Sequence, residues 1–357
     1  MKRKLRIVLA KPGLDGHDRG INIVKDVLID EGYEVFYFSL YRNLDDIAEI
    51  AVQEGVDFIG LSVHNNAHKK YVEEVFKQLK NHNAPDIGLV LGGIIPKKDE
   101  KFLKEEFGVK KIFVSGALEA NLNAVKDFFR ENSGRTIAAI TVLKTKNDVG
   151  LAISAISNGL EMEKIRENWL GKNVLTLGIT GPLGVGKSSL IDKLIAELRI
   201  LNKKVGVITV DPSDYKTGGA LLGRDRTQMW RHLYDENVHI YSMATRGYQG
   251  GIAEKTAEAV EIMKIAGCDI VLVETIGVGQ DQVSIKDIVN KVLLVLTPDI
   301  GEDQVYKSGI MQIADYYIIN KEDIGNPLAV EKYINEMLDQ KQFHVRPFVF
   351  KTTSNRI

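Results

Sequence analysis

The sequence has almost no cysteine: Cys268 is the single one among 357 residues. One cysteine excludes a disulfide within the chain and favours a reducing compartment, so we interpret Cys268 as a small apolar core residue. No apolar run approaches the roughly 18 residues of a membrane span, and the run near the N-terminus is too short for a signal peptide. These absences predict a cytoplasmic protein without a membrane partner.

The sequence also lacks an excess of either charge, and its formal net charge is −1. A basic excess is the usual signature of nucleic-acid binding, so no nucleic-acid partner is predicted. The 44% hydrophobic and 27% charged residues are those of an ordinary globular protein. The length suggests about two domains.

What is present is a regular alternation of short apolar runs with longer amphipathic stretches. This alternation is typical of βαβ units, so we predict an α/β protein with two doubly wound domains. The first domain, over residues 1–132, is predicted to have the flavodoxin-like Rossmann architecture. Its predicted strands are residues 5–10, 34–39, 58–63, 88–93 and 111–116.

Residues 133–172 form a bridging segment that we predict to be helical, because it is not rich in proline, glycine or serine. The second domain is predicted over residues 173–357. Because a helix normally covers the last strand of such a domain, we expect the chain to be abbreviated or cut at its C-terminal end. The predicted strands of this domain are residues 174–180, 204–210, 238–243, 269–275, 291–297, 316–320 and 346–352.

The segment GPLGVGKSS follows the strand VLTLGIT and leads into an amphipathic helix. It matches the phosphate-binding pattern GxxxxGK followed by Ser or Thr, in which backbone N–H groups and the helix N-terminus bind an anion. Lys187 is predicted to reach the β- and γ-phosphates, and the Ser188 hydroxyl to bind Mg²⁺. The predicted nucleotide-binding residues of this segment are Gly181, Gly184, Val185, Gly186, Lys187, Ser188 and Ser189.

Two acidic residues lie at the ends of predicted strands in the second domain, Asp211 after KVGVITV and Glu274 in DIVLVET. Ligands bind at the carboxyl ends of strands in open α/β sheets, so we predict that both acids bind a metal or orient water. The following segment IGVGQDQ is a candidate sensor of the γ-phosphate. Gln280 and Asp281 are both candidates for activating water, and the predicted catalytic set is Lys187, Glu274 and Gln280.

The strand YYIIN leads into NKED, residues 320–323, which matches the pattern NKxD. The carboxylate of Asp323 can accept hydrogen bonds from the ring N–H and the amino group of guanine, a donor pair that adenine lacks. We therefore predict that the domain binds GTP rather than ATP. The residues predicted at the base are Asn320, Lys321, Asp323 and, in KTTSN, Ser354.

The loop KPGLDGHDRG follows the first strand, where α/β sheets commonly bind cofactors. Lys11, Asp15 and His17 are spaced to form a chain of carboxylate, imidazole and metal, because a histidine ligand needs its second nitrogen anchored. Gly20 and its neighbouring glycines allow a bulky planar cofactor to approach. Taken alone, a loop histidine in this pattern is more often a solvated or capping residue than a ligand, and a turn explains the glycine pair in GLVLGG.

The second domain resembles the G-protein chaperones of adenosylcobalamin-dependent acyl-CoA mutases, over roughly residues 135–357, in GPLGVGKSSL, VDPSD, TGGALLG, VETIGVGQ and NKED. The resemblance implies one set of residues that act on phosphates and Mg²⁺, which are Lys187, Ser188, Asp211 and Glu274. It implies a second set that binds guanine, which are Asn320, Lys321 and Asp323. This chain has LLGRDR where the family usually has LLGDR, so Arg224 resembles an insertion and Asp225 the family's second magnesium-linked acid. The family's C-terminal dimerisation arm is not recognised here, which leaves a homodimer as an open alternative.

The first domain resembles the cobalamin-binding domain of methylmalonyl-CoA mutase and its relatives, over roughly residues 4–130, in KPGLDGHDRG, a serine ending the third strand and VLGGIIP. The resemblance implies that His17 is the lower cobalt ligand, with Asp15 as its hydrogen-bond partner and Lys11 as the next link. His64 replaces a leucine of the family pattern and is expected at the mouth of the channel for the nucleotide tail. The residues implied to line that channel are Ser62, Gly92 and Gly93.

Together the resemblances imply an adenosylcobalamin-binding subunit fused to the GTPase chaperone of a methylmalonyl-CoA or isobutyryl-CoA type mutase. The arrangement is similar to fused isobutyryl-CoA mutases without their substrate barrel. That barrel would be a separate large acyl-CoA-binding subunit, or a removed part of a longer chain. The implied ligands and partners are cobalamin, GTP or GDP, Mg²⁺ and an adenosyltransferase. The alternatives left open are a corrinoid protein for methyl transfer and a regulatory GTPase without functional cobalamin.

Overall fold

The computed structural model contains two compact units, each an α/β structure built on its own sheet. The described residues of Met1–Trp169 and Asp211–Gly223 form the first unit, and those of Leu170–Val210 and Arg224–Ile357 form the second. Within the described ranges, no helix has the length and apolar character needed to cross a bilayer. The structure describes residues 4–14, 16–114, 118–132, 143–159, 173–277, 282–298, 310–339 and 346–353.

The first unit contains a parallel sheet with the strand order of a flavodoxin-like fold. Its first five strands are β1 (Arg6–Pro12), β2 (Glu34–Arg42), β3 (Phe58–Val63), β4 (Gly88–Gly93) and β5 (Lys111–Val114). Their order is β5-β4-β3-β1-β2, so the order reverses between β1 and β3. Its helices are α1 (Arg19–Asp30), α2 (Leu44–Gln53), α3 (His68–Asn81), α4 (Lys97–Phe107), α5 (Leu118–Glu131) and α6 (Lys146–Ser157).

The continuous apolar runs of the sequence become strands that are buried on both faces, as expected in a parallel sheet covered by helices. Every residue of β1 and of β3 is buried. At the start of β1 the Arg6 guanidinium is buried and pairs with Glu34 at 2.6 Å and with Glu54 at 2.9 Å. Such a buried cation is tolerated because both carboxylates compensate its charge.

Helix α6 lies in the region for which we predict a helical bridge. Thr145 and Asp148 form a capping box at its N-terminus. Lys146 Nζ then reaches the buried Glu49 of α2 at 2.9 Å, so this helix packs within the first unit. The remaining parts of the predicted bridge, residues 133–142 and 160–172, lie outside the described residues.

The second unit contains a larger sheet of the order β13-β12-β11-β6-β10-β7-β9. Its strands are β6 (Leu175–Thr180), β7 (Val205–Asp211), β9 (Val238–Ala244), β10 (Ile270–Glu274), β11 (Lys291–Leu296), β12 (Tyr316–Ile319) and β13 (Phe348–Lys351). Its helices are α7 (Lys187–Ile200), α8 (Thr256–Ile265), α9 (Ile310–Ile313) and α10 (Pro327–Asp339), with 3₁₀ helices at Asp225–His232 and Gln282–Asp287. Cys268 is 1% exposed, and burial raises its pKa to about 12, which confirms it as a core residue.

One strand of the first sheet, β8 (Ala220–Leu222), is not among the predicted strands. It comes from the TGGALLG segment and extends the sheet beyond β2, which it pairs in parallel. Thr217 Oγ1 donates to the carbonyl of Ile29 at 3.2 Å, and Lys4 Nζ donates to the carbonyl of Gly218 at 2.8 Å. A three-residue strand carries too short an apolar pattern to be recognised, and contacts with residues distant in sequence position it.

Candidate functional site

The predicted phosphate-binding loop lies between β6 and α7, at the carboxyl edge of the second sheet. Strand β6 has β10 on one side and β11 on the other, so this loop is at the point where the strand order reverses. Gly186 directly precedes α7 and has a φ of 90°, a left-handed conformation that disfavours residues with a Cβ. The pattern therefore fixes a loop whose backbone ends at a helix N-terminus, the geometry that binds phosphates.

Lys187 is the buried cation of this loop, with 6% of its surface exposed. Its Nζ donates to the backbone carbonyls of Gly181 at 2.9 Å and Pro182 at 3.1 Å. Burial lowers the pKa of Lys187, while the negative charges of Glu274 and Asp225 act in the opposite direction. The ammonium group is thus held inside the loop, where an incoming phosphate would supply compensating charge.

The Ser188 hydroxyl lies between two carboxylates, 3.0 Å from Asp225 Oδ1 and 2.8 Å from Glu274 Oε1. One hydroxyl has one proton and cannot donate to both oxygens at once. The hydroxyl and the two carboxylates offer only oxygen atoms as metal ligands. Such ligands fit Mg²⁺, which is usually bound by one or two carboxylates together with water and phosphate oxygens. No group of three or more His, Cys, Asp or Glu side chains able to hold a metal occurs among the described residues.

Asp211, the other acid predicted for the metal, ends β7 and is 2% exposed. Its Oδ2 accepts a hydrogen bond from the backbone N–H of Gly223 at 3.0 Å. The structure therefore brings Asp225 and Glu274 together at Ser188 and gives Asp211 a backbone partner. The hydrogen bond between Asp211 and Gly223 joins the two ends of the segment that contains β8.

The predicted guanine-binding motif makes direct contact with the phosphate-binding loop. The fully buried Asn320 donates through Nδ2 to the carbonyl of Val185 at 2.8 Å. Lys321 Nζ donates to the carbonyl of Gly184 at 2.8 Å. Asp323, the residue predicted to accept hydrogen bonds from guanine, is exposed. Of the other predicted residues, Ser189 lies in the first turn of α7, and Ser354 lies outside the described residues.

Sequence reasoning missed two contacts at the start of the predicted γ-phosphate sensor, one with the end of β6 and one with the phosphate-binding loop. Thr275 Oγ1 donates to Thr180 Oγ1 at 2.9 Å. A Cβ on Gly277 would lie 2.6 Å from the backbone nitrogen of Leu183, so only glycine allows this approach. The glycines of IGVG were the sequence feature that could have indicated this close approach. Gln280 and Asp281, the candidates for activating water, lie outside the described residues.

The first unit has a cavity of about 260 Å³ that contains the predicted channel residues Ser62, Gly92 and Gly93. A Cβ on Gly20 or Gly92 would meet no atom within 4 Å, so both glycines border open space. Gly93 instead has a φ of 111°, and a Cβ there would collide with the carbonyl of Val63. The apolar residues that line the cavity include Leu9, Val24, Val90, Leu122, Phe113 and Phe129.

The cofactor loop leaves the predicted cobalt ligand, His17, exposed. Its ring stacks on the ring of His64, with 5.5 Å between the centroids and 24° between the planes. Lys11 is fully buried, and its Nζ lies 3.3 Å from His64 Nδ1. His64 is half-buried and also lines the cavity. Asp15 lies outside the described residues, so the predicted chain from Lys11 through Asp15 to His17 stays a prediction.

The observed arrangement fits a corrinoid with a detached tail. An exposed imidazole is accessible to a large planar ring, and the apolar cavity beside it is open to an aromatic base. A smaller and more polar site would suit neither group.

Two family comparisons agree with these two sites. Residues 160–355 match the family of methylmalonyl-CoA mutase-associated GTPases, MeaB, and residues 5–120 match the B12-binding domain family. A Pyrococcus abyssi protein named as a GTPase is 49% identical over 168 residues, which are 47% of this chain and 52% of that protein. A fused isobutyryl-CoA mutase of Geobacillus kaustophilus is 31% identical in an alignment 351 positions long, which covers 90% of this chain and 31% of that protein.

The chain thus spans about half the length of the archaeal relative and about a third of the fused mutase. A solved structure of the LAO/AO transport system kinase has a TM-score of 0.43 and 22% identity, covering 58% of this chain and 64% of that one. The alignment with the fused mutase runs through both units, so this one relative contains both of them in the same order. This chain belongs to the methylmalonyl-CoA mutase-associated GTPase family, and in it a B12-binding domain precedes the GTPase domain on the same polypeptide.

Proposed function

We propose that this chain carries adenosylcobalamin for an acyl-CoA mutase and that its GTPase domain hydrolyses GTP with Mg²⁺ to gate the loading and protection of that cofactor. The observation that carries the proposal is the presence of two complementary sites on one chain. One is a phosphate loop with a serine between two carboxylates, and the other is an apolar cavity beside an exposed histidine.

In the nucleotide site, Lys187 would exchange its two carbonyl partners for the β- and γ-phosphates. Ser188, with Asp225 and Glu274 beside it, would hold Mg²⁺ and so neutralise charge that develops on the phosphates. Asp323 would select guanine, while Asn320 keeps the phosphate loop in place. Binding and charge stabilisation are the contributions that these residues make to hydrolysis.

In the first unit, His17 would supply a nitrogen ligand to cobalt, and the cavity with Ser62, Gly92 and Gly93 would take the nucleotide tail. When bound, adenosylcobalamin supplies the radical chemistry of the carbon-skeleton rearrangement. The acyl-CoA would be held by a large mutase subunit or barrel, which we propose as the principal partner. An adenosyltransferase is the proposed source of the loaded cofactor.

A cobalamin titration and a phosphate-release assay, both with the full chain, test this proposal. Cobalamin binding, followed by absorbance, is expected to show displacement of the benzimidazole by a protein ligand. Phosphate release is expected in the presence of GTP and Mg²⁺, and it is expected to stop when Mg²⁺ is removed by a chelator. A chain that hydrolyses GTP without binding cobalamin would be a regulatory GTPase, and one that binds cobalamin without hydrolysing GTP would be a simple corrinoid carrier.

The phosphate-binding pattern allows either Ser or Thr at position 188, and this choice provides a control for the assignment of Ser188 to Mg²⁺. Ser188→Ala removes the hydroxyl, so the Mg²⁺ concentration needed for half-maximal hydrolysis is expected to rise. Ser188→Thr keeps the hydroxyl and is expected to retain the original requirement. Equal magnesium dependence in all three proteins would contradict the assignment of Ser188 as a ligand.

A further inference from the structure

His64 touches both parts of the proposed cobalamin site. It follows β3 directly and lines the cavity together with Ser62 and Gly92. Its ring also stacks on that of His17, with 5.5 Å between the centroids. His64 therefore lies between the residue proposed to bind cobalt and the space proposed for the nucleotide tail.

Lys11 gives His64 a defined hydrogen-bonding role. An ammonium group can only donate, so His64 Nδ1, 3.3 Å from Lys11 Nζ, is the acceptor of that contact. The proton of the neutral imidazole then lies on Nε2, which is a donor. A buried cation behind an imidazole donor is an arrangement that suits an anion, because hydrogen bonds and charge act in the same direction.

The nucleotide tail of cobalamin has one anionic group, and its place along the tail is fixed by covalent structure. Counted from the corrin ring, the phosphodiester follows a short amide-linked arm and precedes the ribose and the benzimidazole. The cavity wall is apolar and suits the aromatic base at the far end. The phosphodiester must then remain on the side of the cavity nearer to cobalt, where the half-buried His64 stacks on the exposed His17.

We propose that His64, with Lys11 behind it, binds the phosphodiester of the tail and selects corrinoids that carry this group. The inference rests on the proposed cobalamin binding, and it adds a specificity-determining contact to it. The leucine that the family pattern has at this position has no hydrogen-bond donor in its side chain, so the contact belongs to this chain and to others with a polar residue there.

Three corrinoids separate the contact from other roles of His64. Cobinamide lacks the phosphate, cobinamide phosphate has the phosphate without the base, and cobalamin has both. We expect the unmodified full chain to bind both phosphate-bearing corrinoids at least about tenfold more tightly than cobinamide, the scale of a hydrogen bond to a charged group. Equal dissociation constants for cobinamide and cobinamide phosphate, measured by absorbance titration, would overturn the proposal without any variant.

Two substitutions then assign the effect to His64. His64→Leu is expected to weaken binding of both phosphate-bearing corrinoids by about tenfold and to leave cobinamide unchanged. His64→Gln retains an N–H donor near the position of Nε2 and is expected to recover most of the loss. Thermal unfolding of each variant provides the check that it is folded.

The other outcomes contradict the proposal in distinguishable ways. An equal loss for all three corrinoids would mean that His64 acts by stacking on His17, and no loss for any would remove its role. If the unmodified chain binds none of the three corrinoids, the proposed cobalamin function itself fails, and this inference fails with it.

Discussion

The two candidate sites differ in how far each is closed before its ligand arrives. In the nucleotide site Lys187 is 6% exposed and Asn320 is fully buried, and both already donate to the backbone of the loop. In the cofactor site His17 is exposed, beside a cavity of about 260 Å³. The nucleotide site consists of donors that are already held in place, whereas the cofactor site consists of an exposed side chain beside an open cavity.

The difference follows from the chemistry of the ligands. A triphosphate is small and highly charged, so it is bound by donors that are oriented beforehand and need no reorganisation. A corrinoid is large and mainly apolar in its contacts, so it needs room and a small number of directed ligands.

The largest effect is expected for Lys187→Ala. Removing the buried cation of the phosphate loop should reduce GTP hydrolysis by about 10²–10³-fold, the usual cost of one lost charge-stabilising donor. Cobalamin affinity should remain unchanged, because the cofactor residues belong to the first unit. Phosphate release and cobalamin titration on one preparation measure both, with Lys203→Ala as an exposed control. Loss of cobalamin binding in the first variant would break the separation of the two sites.

The single cysteine provides a reporter of the second unit alone. Burial raises the pKa of Cys268 to about 12, so a thiol reagent at neutral pH should react only when this unit opens. GTP with Mg²⁺ at about 100 times its dissociation constant should slow labelling by about 100-fold. Cobalamin should leave the rate unchanged. A similar slowing by both ligands would show that the units open together.

The choice of base is tested by two adjacent exposed acids. Asp323→Ala should weaken GTP binding by about 1.5–3 kcal/mol, the value of hydrogen bonds to a charged group, and leave ATP binding unaffected. Glu322→Ala is the matched control and should change neither affinity. Competition binding with both nucleotides measures the selectivity. Equal affinities for GTP and ATP in the unmodified protein would refute the assignment.

Two adjacent glycines test the open character of the cofactor site. Gly93→Ala forces a Cβ into a left-handed conformation and against the Val63 carbonyl, which should lower the free energy of unfolding by about 1–3 kcal/mol. Gly92→Ala meets no atom within 4 Å and should be neutral for stability, yet it adds a methyl group to the cavity and should weaken cobalamin binding. Denaturant unfolding and cobalamin titration measure the two effects. A destabilised Gly92→Ala protein would mean that the space at Gly92 is not available to a ligand.

The two sites also differ in how much of them the sequence predicts. The phosphate loop is local, since its glycines, Lys187 and Ser188 are close together in the chain and fix one backbone geometry. The contact of Lys11 with His64 joins residues 53 positions apart, and no pattern in either segment specifies it. The same holds for β8, where Thr217 contacts Ile29 across 188 positions. Apolar periodicity predicts strands, but it does not predict which distant segment completes the edge of a sheet.

The assignment of His17 as the lower ligand of cobalt is the central claim, and one spectrum tests it most directly. The electron paramagnetic resonance spectrum of the cob(II)alamin form bound to the full chain contains a splitting from the nitrogen that ligates cobalt. Uniform ¹⁵N labelling of the protein should convert the triplets of this splitting into doublets, because the ligating nitrogen then has a different nuclear spin. Triplets that persist in the labelled protein would mean that the nitrogen on cobalt is the cofactor's own, and the account of the first unit would be wrong.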